Sequence, residues 1–127
     1  MSETESDQRR TIVVLSGDLF FGMRIRTTLR GMDYACVLTK STEEFSEKLI
    51  SDEVPVVLGL VDFNKDVDWP GLRTAVASDV PIIAFGAHTD VDGFRAARAA
   101  GVTRVISNGS FSSTLPDLIA KYARTVE

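Results

Sequence analysis

Five apolar, β-branched runs separated by segments of helical period leave a chain of this length few folds to adopt. Thr11 to Leu15 is the first run, and its unbroken apolar character marks a strand buried on both faces. Tyr34 to Thr39, Val54 to Val61, Pro81 to Phe85 and Thr103 to Ile106 repeat the pattern. Between them, Leu19 to about Arg30 sets Phe21, Ile25 and Leu29 on one stripe at four-residue spacing. A second helix runs to about Ser51 with Phe45, Leu49 and Ile50 inward; shorter patterns follow from Pro70 toward Ser78 and from Asp90 to Ala100. The last helix is expected from Ser113 or Thr114, burying Leu118, Ile119 and Tyr122.

Local chemistry punctuates these segments. Asp18 and Asp90 stand where an N-cap carboxylate accepts orphan backbone N–H groups. Ser41-Thr42-Glu43-Glu44 reads as a capping box, with Glu44 reaching back to Ser41. Gly31 and Gly101 are placed to end helices in the left-handed conformation. Pro70 and Pro116 fall in first turns, where a missing N–H costs little.

Strict alternation of strand and helix predicts a parallel sheet wrapped on both faces. At this length it is an α/β, flavodoxin-like (βα)5 three-layer sandwich of strand order 2-1-3-4-5 with right-handed crossovers. One domain is expected over residues 11–127, preceded by a polar, disordered tail over 1–10. In such sheets the working crevice lies beyond the carboxyl ends of the strands. That rule selects Ser16, Gly17 and Asp18 after the first strand, Asp62 after the third, Gly86 after the fourth and Asn108 after the fifth. Asp62, ending an apolar strand, is a candidate nucleophile; with Asp18 it is a candidate Mg²⁺ ligand pair, and no other cofactor is expected.

Composition narrows the function classes. The chain of 127 residues carries a formal net charge of −4, against the concentrated basic surface that nucleic acid requires. Arg24, Arg26 and Arg30 read as a solvated helix face. No apolar run approaches the roughly 18–20 residues of a membrane span, and Met1 to Arg10 lacks the apolar segment of a secretory signal. Cys36 is the one cysteine, read as a buried structural thiol in a reducing, cytoplasmic compartment. His88 is the one histidine, which removes multi-histidine metal sites and hydrolase triads from consideration and is read as a surface residue. No phosphate-binding loop or dinucleotide fingerprint is present. The chain is expected not to be an enzyme.

Two stretches carry a family resemblance: Pro81 to Asp90 (PIIAFGAHTD) and Ala96 to Ile106 (AARAAGVTRVI). With the order of elements from about residue 11 to 124, they resemble the receiver domain of bacterial two-component response regulators. The resemblance implies a phosphoacceptor at Asp62. It also implies an acidic Mg²⁺-binding pair after the first strand, where Ser16 and Gly17 stand with Asp18 one step beyond. A hydroxyl residue is implied where Gly86 stands, and a lysine–proline pair where Asn108 and Gly109 stand. The aromatic switch position holds Val105. Phosphoryl transfer rests on positioning and charge neutralisation, and loss of one such contact costs roughly 2.7–4 kcal/mol. The chain therefore resembles a pseudo-receiver.

The expected function is a protein-interaction module that contacts a signalling protein or a second copy of itself without efficient phosphorylation. Two surfaces are candidates: Phe20 and Met23, off the core stripe of the first helix, and Arg95, Arg98 and Arg104, with Asp90, Asp92 and Asp117 as possible ion-pair partners. The resemblance implies dimerisation through the second. One alternative is a phosphorylatable receiver using Asp62 with Asp18. Another is a small-molecule sensor using space vacated at Gly17, Gly86 and Gly109. With the chain ending at Glu127 and no output domain visible, output is expected through contacts.

Overall fold

The computed structural model describes residues 9–125. Residues 1–8 of the expected tail lie outside the described residues. Strands β1 (Thr11–Leu15), β2 (Ala35–Thr39), β3 (Val56–Asp62), β4 (Ile82–Gly86) and β5 (Arg104–Ser107) alternate with helices α1 (Leu19–Gly31), α2 (Thr42–Leu49), α3 (Arg73–Ala77), α4 (Val91–Ala100) and α5 (Asn108–Tyr122). A 3₁₀ turn, Pro70–Leu72, leads into α3. Every pairing is parallel and the order is β2-β1-β3-β4-β5, the expected flavodoxin-like topology.

Alternation along the strands builds two core layers. Ile12, Val14, Leu60, Ile83 and Phe85 face Ile25 and Leu29 of α1 and Phe111, Leu115 and Ile119 of α5. Val13, Leu15, Val61, Ile82 and Ala84 face Phe45 and Leu49 of α2, Ala75 of α3 and Ala97 of α4. Each fully buried side chain of this size contributes about 1.5–3 kcal/mol. One irregularity breaks the period: the β1–β3 register shifts so that Thr11 pairs with Val56 and Ile12 with Leu58. Val57 and Leu58 consequently face the same layer. Arg124 closes this bulge, its backbone N–H donating to the Val57 carbonyl at 3.0 Å and its Nε to the Val56 carbonyl at 2.9 Å.

Several local expectations change. Gly31 is the last residue of α1, and the left-handed turn is taken by Asp33 at φ 70°. The reversal is deferred until Tyr34 can enter β2. Gly101 does end α4 at φ 89°. Ser41 caps α2 by accepting from the Glu44 N–H at 3.1 Å, but Glu44 accepts from Lys40, one residue outside the cap, at 3.3 Å. Ile50 lies past the end of α2 and is 45% exposed, because the helix stops once Phe45 and Leu49 are seated.

The largest change is in α5, which begins at Asn108 and not at Ser113 or Thr114. Ser107 caps it, its hydroxyl accepting from the Ser110 N–H at 3.2 Å. Phe111 then stacks on Phe85 with ring centroids 3.9 Å apart. Stacking and burial of that ring hold a turn that Gly109 and four hydroxyl residues would not form unaided. The helix kinks at Thr114 (φ −126°, ψ 17°), two residues before Pro116, whose missing N–H interrupts the ladder. The predicted start therefore marks the kink. Ile119 is buried, while Leu118 and Tyr122 pack on the core from partly exposed positions.

Candidate functional site

The carboxyl ends of β1, β3, β4 and β5 meet as the crevice rule requires, and Asp62 sits at their centre, 3% exposed. A carboxylate this deep needs compensating donors. Ser16, at the end of β1, donates its hydroxyl to Asp62 Oδ2 at 2.8 Å. Asn64 donates twice to Oδ1, from its backbone N–H at 2.9 Å and from Nδ2 at 2.6 Å. The Asn64 amide also pairs reciprocally with Asn108: Asn64 Nδ2 donates to Asn108 Oδ1 at 3.0 Å, and Asn108 Nδ2 to Asn64 Oδ1 at 2.8 Å. Neutral donors around one carboxylate thus tie the ends of β1 and β3 to the start of α5.

The side chains of the other crevice candidates are arranged around this network without joining it. Asp18 is exposed and caps α1, its Oδ1 accepting from the Phe21 N–H at 3.1 Å. Its backbone N–H donates to Ser16 Oγ at 3.2 Å. Among the described residues no three carboxylate, imidazole or thiol groups gather as a metal cluster. The Lys65 side chain lies over Gly17, with Cδ 3.1 Å from the point a Cβ would occupy. Gly109 faces open space.

At Gly86 the space is filled. A Cβ there would overlap the ring of Phe63, and a Cβ at Gly93 would stand 2.8 Å from Phe63 Cδ1. Phe63 is 4% exposed and meets Phe94 edge-to-face at a centroid distance of 5.3 Å, with Trp69 tilted against it at 6.2 Å. Two glycines thus form the seat for an aromatic ring directly after Asp62. Beside Asp62, on the side of β1 and α2, a cavity of about 250 Å³ is lined by Lys40 and Lys65 as well as Asp66 and Asp68.

Residue-by-residue reading missed Phe63, Asn64, Lys40 and Lys65. A signal for Asn64 was present: asparagine two residues after a strand-end aspartate favours a turn that folds back on that carboxylate. Nothing local marks Phe63, whose seat is made by glycines more than twenty residues away.

Phe20 and Met23 lie off the buried stripe of α1. Phe20 is 81% and Met23 48% exposed, joined by Leu19 at 56%. Arg95, Arg98 and Arg104 line a cleft between α4, β5 and the start of α5. Of the expected ion pairs only Arg95–Asp92 forms among the described residues, at 3.7 Å. Arg98 lies over the Phe94 ring at 5.5 Å. His88 is exposed, as expected. Cys36 is buried, and that burial pushes its thiol from 9.0 up to about 11 against the opposing pull of Arg26 and Arg30. Arg26 departs from the solvated-face reading: it is half-buried, and its Nε has no hydrogen-bond partner among the described residues. No helix is long and apolar enough to cross a membrane among the described residues.

No family model and no curated protein matches the sequence. Solved structures do match the fold. The signal receiver domain of an HD domain-containing protein from Pseudomonas fluorescens superposes at a TM-score of 0.74 and 16% identity, over 91% of this chain and 87% of that one. A response regulator receiver protein from Burkholderia phymatum does so at 0.67 and 22% identity, over 92% and 100%. The receiver domain of Ssk1 from Saccharomyces cerevisiae, solved with the histidine phosphotransfer protein Ypd1, gives 0.73 and 12% identity, over 91% and 90%. With a parallel 2-1-3-4-5 sheet and a buried aspartate at the end of its third strand, the chain has the receiver fold of two-component response regulators.

Proposed function

We propose that this chain is a receiver-fold signalling module that acts through protein contacts and is not switched by aspartyl phosphorylation. The observation that carries the reading is the engagement of both Asp62 oxygens by neutral donors, Ser16 on one side and Asn64 on the other. A phosphoacceptor must present an oxygen to the donor and have cations ready for the incoming charge. Here that oxygen would first have to shed a hydrogen bond, and hydrogen bonds to charged groups are worth about 1.5–3 kcal/mol each. The donor set around Asp62 suits a carboxylate without a metal, since hydroxyl and amide N–H groups point at it and Asp18 is occupied in capping α1. Mg²⁺ has no part in this reading.

The contact surface is the exposed first turn of α1, where Leu19, Phe20 and Met23 project together. Apolar side chains clustered at the rim of a crevice mark a docking patch. The Ssk1 receiver was solved with a histidine phosphotransfer protein; for this chain the partner class is likewise a signalling protein, with self-association the alternative. The second reading, phosphorylation at Asp62, is favoured by one feature: Lys40 and Lys65 line the cavity beside it and could answer a new phosphate.

Acetyl phosphate with Mg²⁺, followed by intact-mass measurement, separates the two. The expected result is an unchanged mass. One added phosphoryl group, lost in Asp62→Asn, would establish the second reading.

A further inference from the structure

The cleft beside β5 gathers three arginines. It encloses about 600 Å³ and is lined by Phe94, Arg95, Arg98, Arg104, Ser107 and Ser110, among others. The chain has 14 basic against 18 acidic residues, so three guanidiniums on one concavity run against its composition. Among the described residues their charge is not neutralised locally. Arg95 meets Asp92 there, at 3.7 Å with both side chains largely exposed, where solvent screens the pair. Arg98 and Arg104 make no ion pair among the described residues.

The remaining walls add direction. Ser107 caps α5 by accepting a hydrogen bond, which leaves its hydroxyl proton available to donate. The opening turn of α5 presents backbone N–H groups that no helix can satisfy internally. Opposite them stand Phe94, half-buried, and Val91, 61% exposed, an apolar wall beside the cations. Planar guanidinium forks match phosphate oxygens in bidentate fashion, and Arg beside an aromatic face also accepts a stacked ring.

We propose that this cleft is a binding site for a small molecule that carries a phosphate or diphosphate group on a planar ring, a nucleotide being the type case. The phosphate lies among Arg95, Arg104 and the Ser107 turn, and the ring against Phe94 and Arg98. The volume falls within the roughly 300–1,000 Å³ of small-molecule sites. The site is independent of Asp62 and does not rest on the function proposed above.

The test is an amide-resolved NMR titration of the full chain with inorganic pyrophosphate, guanosine diphosphate and an oligoglutamate peptide. The expected result is saturable shifts at Arg95, Arg98, Arg104, Ser107 and Ser110 with both phosphate probes, the nucleotide binding more tightly. Arg98→Gln combined with Arg104→Gln should weaken both at least about tenfold, because charge-assisted contacts are lost. The rest of that variant's spectrum should remain in place, since both positions are exposed. No shift with either phosphate probe at about 5 mM, a concentration that would largely saturate a site with a Kd of about 1 mM, would overturn the proposal. So would shifts that persist in the double variant, or binding of oligoglutamate alone, which would assign the cleft to an acidic protein segment.

Discussion

Around Asp62 the polar groups answer one another within the chain: a carboxylate, a serine hydroxyl, two carboxamides and the Asn64 backbone N–H, joined by five hydrogen bonds between 2.6 and 3.0 Å. In the cleft beside β5, three guanidiniums share one screened carboxylate partner among the described residues. Both regions adjoin the same sheet, one at its centre and one at its edge strand. The comparison shows how burial sets chemistry. A charge at the sheet centre is out of water and has to be satisfied by the fold, whereas charges at the edge strand are solvated and keep their capacity for a ligand.

If the crevice is structural, changes there must cost stability. Phe63→Ala should have the largest effect, about 3–5 kcal/mol, because it empties the seat between Gly86 and Gly93. Urea denaturation measures it. Asp62→Ala should follow at about 1–3 kcal/mol, since it takes the carboxylate partner from the buried Ser16 hydroxyl. A carboxylate held in strain for catalysis would give the opposite sign, and a stabilised Asp62→Ala would break the comparison.

Gly86→Ser, which restores a hydroxyl residue at that position, should cost about 1–3 kcal/mol by colliding with Phe63. In a Phe63→Ala background the penalty should shrink. Strict additivity of the two changes would mean that the ring does not occupy that space.

The smallest effect concerns Cys36. Its folded-state pKa, about 11 against an ordinary 9.0, favours the protonated form in the folded chain. The associated stability is present below the ordinary value and is lost as pH rises toward the folded one. By linkage this decline is on the order of 1 kcal/mol by about pH 10. Cys36→Ala should lack that part of the alkaline decline, which paired denaturation curves at two pH values will show.

Much of the fold could be read from local pattern because its causes are local. β-branched runs, Asp18, Ser41 and Asp90 as caps, and Gly101 as a stop act within a few residues of chain, and each does so in the structure. The placement of Asp62, Ser16, Gly86 and Asn108 at one end of the sheet also followed from element order, since parallel strands joined by right-handed crossovers put all their carboxyl ends together. The start of α5 was not legible in the same way. Gly109 and a run of serines have poor helix propensity, and the turn forms because Phe111 finds Phe85 across the core.

What the sequence determined by itself, then, is the architecture and the exposed apolar turn of α1. Only the tertiary structure decided which side chains meet around the ends of the strands. Phe63 enters the space beside Gly86, Asn64 and Asn108 bridge β3 to α5, and three arginines from α4 and β5 converge on one cleft. Each of these depends on residues far apart in sequence. Their meeting is set by packing and by the demand that buried polar groups be paired, which no local window of the chain records.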